Sequence, residues 1–219
     1  SSAIPSSKEV WKVKVPLKIK VFMWFVHKQA ILTKDNLVKR NWTGSTRCSF
    51  CDRDETIKHL FFDCRLARVL WHTVHIVFNI TPPNSVSTLF GTWLVGTESE
   101  TARHIRVGVC ALLWAIWNCK NDLASNRTTN IHCLQVLFRA TALICMWSLL
   151  TPTEARERLV TGSIRWKMVA RDIFNRFGWR SCNRMAFSFS YFCYASRLWP
   201  FGFWFLALWL FVSWPLLCF

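Results

Sequence analysis

Four residues within 17 positions carry the strongest chemical signal in this sequence: Cys48, Cys51, His59 and Cys64, spaced Cys-x2-Cys-x7-His-x4-Cys. Zinc takes thiolate and imidazole ligands in a tetrahedron, and a set of four protein ligands leaves no open position for water. The expected chemistry is a structural zinc site. A Cys-x-x-Cys turn lets two thiolates reach one ion from a tight loop, and a helix after Asp54 could present His59 and deliver Cys64 near its end. Two alternatives stand beside this one. One is a set of core cysteines brought together by chance, and the other is a redox Cys-x-x-Cys, for which no thioredoxin-like strand precedes the pair. His72 and His75 could compete as ligands, although their amphipathic setting suits an exposed or core role. Cys110, Cys119, Cys133, Cys145, Cys182, Cys193 and Cys218 do not cluster, and several fall in apolar helical stretches as small buried hydrophobes.

The elements that must position this quartet read as helices. Pro16 suits a first helical turn, where its missing N–H would be unpaired anyway, so a helix is expected from about Pro16 to Ile31. Thr33 followed by Asp35 reads as an N-cap opening a short helix to about Arg40. Asp54 and Glu55 place negative charge at the start of the next helix, whose apolar face is Ile57, Leu60 and Phe61. A helix from about Leu66 to Phe78 is closed by Thr81-Pro82-Pro83-Asn84. The run from Val107 to Trp117 is only 11 residues long, too short to span a bilayer, and predicts a buried helix within 102–123. Another covers about Ile131 to Leu150. Thr151-Pro152-Thr153-Glu154 predicts a capping box that opens a last helix.

Lys8, Lys12, Lys14, Lys18, Lys20, Lys28, Lys34, Lys39 and Arg40 make residues 8–40 the densest basic stretch, against only Glu9 and Asp35. Such a cluster is either a phosphate-contacting surface or a solvated helix face. Trp24, Trp42 and Phe50 could stack on unpaired bases, or pack in a core. The chain carries a formal +16, from 28 Lys and Arg against 12 Asp and Glu. From residue 186 onward Arg197 is the only charged side chain, so the basic character belongs to the front. A hydrophobic content of 52% excludes a disordered polyelectrolyte.

Leu198–Phe219 runs 22 residues without a charge, which on length alone is a transmembrane candidate. Trp199, Trp204, Trp209 and Trp214 recur every five residues, a spacing that fits neither helix nor strand, and an out-of-frame or read-through appendage is the competing expectation. No basic segment followed by an apolar run and a cleavage site opens the chain, so an intracellular, reduced setting is expected. The start at Ser1-Ser2-Ala3 suggests a processed product or a fragment of something larger.

The order Val15-Pro16-Leu17-Lys18-Ile19-Lys20-Val21-Phe22-Met23-Trp24, then Leu32-Thr33-Lys34-Asp35-Asn36-Leu37, the Cys-x-x-Cys and Glu55-Thr56-Ile57-Lys58-His59-Leu60-Phe61-Phe62-Asp63-Cys64 resembles the zinc-binding domain of plant non-LTR (LINE-type) retrotransposon reverse transcriptases. This resemblance covers about residues 8–75 and keeps all four ligand positions; Arg65 stands where Pro is usual. Leu113-Trp114-Ala115-Ile116-Trp117-Asn118-Cys119-Lys120-Asn121-Asp122 looks like the segment that follows this domain, with Lys120 in the place of a more usual Arg. The resemblance implies a module lying after the polymerase domain and, in many members, before an RNase H domain. Neither Tyr191 nor Tyr194 is followed by the Asp pair that a two-metal polymerase site requires. The few acidic residues fall mostly at helix starts or beside Arg, as at Glu154, Glu157 and Asp172.

The expectations are therefore a mainly α chain: a zinc-binding module over 8–80, a helical downstream region over 81–185 and an apolar, aromatic-rich tail over 186–219. Zinc is held by Cys48, Cys51, His59 and Cys64. RNA or DNA is contacted by Lys12, Lys14, Lys18, Lys20, Lys28 and Trp24. No catalysis and no small-molecule substrate are expected. The setting is intracellular, nuclear for an active retroelement product. A membrane-anchored basic protein, or a decayed retroelement fragment without a role, are the alternatives.

Overall fold

The computed structural model describes residues 11–177, and over them the chain is mainly α. The only β pairing among the described residues is an isolated antiparallel bridge between Arg47 and Asp54. The tail over 186–219, with its transmembrane candidate, lies outside the described residues. Among the described residues no helix is long and apolar enough to cross a membrane.

Helix α1 (Leu17–His27) buries Ile19, Phe22, Met23 and Val26, the i, i+3, i+4, i+7 stripe of an amphipathic helix. Pro16 stands just before it, with φ −55° and ψ 149°. The helix stops four residues short of the expected Ile31. Gln29 enters the left-handed region at φ 53°, and the N–H groups of Gln29 and Ala30 turn back to the carbonyls of Val26 (3.0 Å) and Phe25 (2.9 Å). Those bonds satisfy carbonyls that a helix end leaves open. Helix α2 (Lys34–Val38) begins after Thr33 as expected, but the Thr33 hydroxyl does not cap it; it donates to Asp35 Oδ1. The first free amide, Lys34 N–H, instead donates to Glu55 Oε1 at 3.1 Å.

Helix α3 (Arg65–Phe78) buries Leu66, Ala67, Leu70, Trp71, Val74 and Val77 and ends at Asn79, which is left-handed at φ 53°. A short α4 (Val86–Phe90), capped by Ser85 Oγ accepting from Thr88 N–H at 3.1 Å, had no sequence expectation behind it. Helix α5 (Ser99–Ala124) is the expected buried helix, about 39 Å long at 1.5 Å per residue. Helices α6 (Cys133–Ser148) and α7 (Thr153–Phe177) complete the described chain. The capping box expected at Thr151 does not form: its hydroxyl donates back to the Ser148 carbonyl at 2.6 Å, and the carbonyl of Pro152 accepts the Arg156 amide at 2.9 Å.

One continuous apolar core runs from Val13 to Ala170 and takes residues from both sides of position 80. Phe22 of α1 packs edge-on to Phe61 (6.3 Å between centroids) and to Trp114 of α5 (4.9 Å). Trp166 of α7 is buried and donates its indole N–H to Thr73 Oγ1 of α3 at 2.8 Å. Cys110, Cys119 and Cys133 are buried in this core as expected, and burial pushes the Cys110 thiol up to about 12.

Candidate metal centre

The Cys48–Cys51 turn is closed at its base by backbone pairing. Cys48 N–H donates to the Arg53 carbonyl at 2.7 Å, and Glu55 N–H to the Thr46 carbonyl at 2.9 Å. Within the turn, Phe50 N–H donates to Cys48 Sγ at 3.4 Å, which orients the sulfur and favours its thiolate.

The second half of the site uses a π-helical turn, His59–Asp63, in place of the expected regular helix. Five residues of α-helix would rotate Cys64 about 140° away from His59 at 3.6 residues per turn. The i→i+5 bond, Cys64 N–H to the His59 carbonyl at 2.7 Å, brings position 64 back under position 59. Arg65 then occupies the first position of α3, where a Pro would also fit.

The donor atoms of Cys48, Cys51, His59 and Cys64 all lie within 4.8 Å of one another. The Sγ–Sγ separations are 4.0 Å for Cys48–Cys64 and 3.9 Å for Cys51–Cys64, and Cys51 Sγ lies 3.1 Å from His59 Nε2. Zinc–sulfur bonds of about 2.3 Å in a tetrahedron place sulfurs about 3.8 Å apart, so the cluster fits zinc with little adjustment. Cys48, His59 and Cys64 are buried and Cys51 is half-buried. His72 and His75 lie on α3 outside the cluster, where His75 Nδ1 is 3.1 Å from the Ile80 carbonyl.

The electrostatics are those of a site built for a cation. Cys48 is brought down to about 4, first by the hydrogen bond it accepts from Cys64, with His59 and the Phe50 amide adding to it. Cys64 is pushed far up, because its proton is held between the two sulfurs and because it is buried beside other thiols. Burial raises Cys51 as well. Three sulfurs at this spacing cannot all ionise without a positive charge among them, and a divalent ion supplies it.

Residues 2–71 match the family described as zinc-binding in reverse transcriptase. The four ligands fall inside that segment, and together the match and the geometry make this the zinc site of the module. An Arabidopsis thaliana protein named as a ribonuclease H protein is 33% identical over 63 residues, which is 28% of this chain and 10% of that relative. The chain thus spans about a tenth of the length of the curated relative it matches. No solved structure matches it significantly.

The zinc module is tied to the helices downstream by a contact the sequence did not signal. Glu55, four residues after Cys51, is fully buried, and its Oε1 lies 3.4 Å from Lys120 Nζ of α5. Lys120 also donates to the Leu32 carbonyl at 3.3 Å and sits 4.5 Å over the Trp117 ring. Burial raises the Glu55 carboxyl, while Lys120 and the Lys34 amide oppose that rise.

None of the basic candidates belongs to the zinc cluster. Lys12, Lys14, Lys18 and Lys28 are exposed, and Lys20 is half-buried with Nζ donating to the Trp11 carbonyl at 2.8 Å. Trp24 is half-buried and packs edge-on to Phe25, with centroids 5.1 Å apart. Phe50 packs against the core, whereas Trp42 stays exposed.

Proposed function

We propose that this chain is a zinc-stabilised accessory module of a retrotransposon-derived reverse transcriptase polyprotein, that it binds RNA or DNA through the lysines around α1, and that it performs no catalysis of its own. The observation that carries this is the state of those lysines. Lys14, Lys18 and Lys28 are exposed and pair with no carboxylate among the described residues, so their charge is available to phosphates. The matched family is a zinc-binding one, and its description ties it to reverse transcriptase, an enzyme that works on nucleic acid. Its place of action would be intracellular, and nuclear for a retroelement product.

Phosphate contacts release condensed counterions, so log affinity should fall linearly with log salt, with a slope of about 0.7 per neutralised phosphate on a single strand. Fluorescence anisotropy with a labelled single strand across a salt series measures this on the zinc-loaded chain. Reversing charge at Lys14, Lys18 and Lys28 together should flatten the slope by about 2 and weaken all sequences alike, because phosphate contacts position a protein without reading bases. Affinity weaker than about 100 μM near physiological salt would overturn the nucleic-acid reading and leave a structural spacer.

A further inference from the structure

We propose that Trp42 is the platform on which this module stacks an unpaired nucleobase, a role that rests on the nucleic-acid reading above and names a contact it did not require. The backbone around Trp42 is fixed by the end of α2. Asn41 is left-handed at φ 62°, its N–H donates to the Val38 carbonyl at 3.0 Å, and the Trp42 N–H donates to the Leu37 carbonyl at 3.1 Å. The two bonds close the helix and throw the next side chain outward.

The indole then lies on Gly44. A Cβ built at position 44 would clash with the face of the six-membered ring over Cζ2, with Cη2 and Cε2 next nearest, so the ring is seated where only glycine leaves room. Gly44 is not in the left-handed region, and the close approach of Trp42 is what demands it. Trp42 is 38% exposed and makes no ring or cation contact among the described residues. Its seat fixes the ring plane before any ligand arrives, which lowers the entropy cost of stacking. Lys39 and Arg40 come three and two positions before it in the chain and Arg47 five positions after it, all exposed, and Arg40 pairs with no carboxylate among the described residues.

Trp11 is also exposed, at 43%, but no described glycine lies under its ring, and the other tryptophans that follow are committed elsewhere. Trp71 is buried with its N–H on the Phe61 carbonyl at 2.8 Å, Trp114 and Trp117 pack on Phe22, and Trp24 leans on Phe25. An exposed aromatic ring seated on glycine, in a segment carrying exposed cations, suits a single strand, in which a π-face and a phosphate come together in each nucleotide. A duplex offers the phosphates but keeps its bases stacked away.

The test compares a labelled single strand with an abasic strand of the same length, by anisotropy on the full zinc-loaded chain. The expected result is that wild type prefers the strand with bases, that Trp42→Ala loses about tenfold or more on that strand and nothing on the abasic one, and that Trp42→Phe keeps most of the binding. Gly44→Val unseats the ring without removing it and should lose affinity as Trp42→Ala does. One zinc per chain in each variant certifies the fold, and if Trp42→Ala fails that check, Trp42→Phe and Gly44→Val decide. Equal loss on both strands, or no loss on the strand with bases, overturns the platform while leaving phosphate binding intact. Absence of wild-type binding to either strand overturns the nucleic-acid reading itself, and the platform with it.

Discussion

Lys120 Nζ lies 3.4 Å from Glu55 Oε1 with both side chains out of solvent, 6% and 0% exposed, so a helix 65 positions downstream holds the loop that carries the zinc ligands. Glu55 Oε1 also accepts the Lys34 amide at 3.1 Å, while Oε2 is buried without a hydrogen-bond partner. The hydrogen bond and the ion pair that offset its burial both run through Oε1. Removing the cation leaves that charge uncompensated, so Lys120→Met should destabilise the chain by about 3–5 kcal/mol. Lys120→Arg should cost much less, because a guanidinium can serve the same carboxylate. Pairing Lys120→Met with Glu55→Leu should recover much of the loss, since no unpaired charge remains. Urea unfolding of the double-mutant cycle reads this coupling; additive effects would mean that the two residues do not act as a pair.

Zinc should be bound at one ion per chain, and chelation should loosen far more than the ligand loop. The core is continuous from Val13 to Ala170, and the loop is fastened to α2 and α5 through Glu55. At such a site binding energy is also folding energy, roughly 10–16 kcal/mol in small zinc peptides at neutral pH. Cys64→Ser should lower zinc affinity sharply, whereas Cys110→Ser, in the buried face of α5, should leave the metal count unchanged. Elemental analysis and circular dichroism before and after chelation check both. Equal effects of the two substitutions would argue against the quartet.

What the sequence made legible was whatever depends on local spacing. The quartet, the α3, α5 and α6 spans and the cap position at Thr33 all follow from residues near one another in the chain. The errors arose where tertiary or unusual backbone geometry intervened. A π-helical turn cannot be told from an α-helical one by periodicity, yet the five-residue step from His59 to Cys64 needs it. The Lys120–Glu55 pair leaves no trace in either segment alone. Thr151-Pro152-Thr153-Glu154 has capping-box chemistry, but the Thr151 hydroxyl found a nearer carbonyl at the end of α6. The stops at Asn41, Asn79 and Asn126, all at positive φ, were readable in principle, because Asn tolerates the left-handed region that closes a helix. Gln29 carries no such signal.

Gln29 therefore offers a stabilising change. At φ 53° a residue with a Cβ is strained, and glycine is not. The Gln29 side chain is exposed, and its carbonyl, which accepts Asn36 Nδ2 at 2.9 Å, survives the substitution. Glycine adds entropy to the unfolded chain, which offsets part of the relief. The net expectation for Gln29→Gly is a gain of about 0.5 kcal/mol, seen as a higher urea midpoint at unchanged slope. A loss of stability would mean that the turn is held by something other than its backbone bonds.

Zinc binding should release about two protons per ion at neutral pH. Without the ion Cys48 is already a thiolate, drawn down to about 4 by the hydrogen bond from Cys64, whereas burial raises Cys51, and the shared proton together with burial raises Cys64. All three sulfurs must be thiolates to coordinate zinc, so the two raised thiols are the ones that lose protons. The sign follows: the metal-free site binds more protons than the loaded one, and affinity must therefore rise with pH through neutrality and fall as acid is added. Calorimetry of zinc binding in two buffers of different ionisation enthalpy counts the protons directly. In Cys51→Ser the count should drop by about one, because a serine hydroxyl keeps its proton at neutral pH. A wild-type count near zero would mean that all three sulfurs are ionised before the metal arrives, which a cluster this compact could sustain only with another cation already among them.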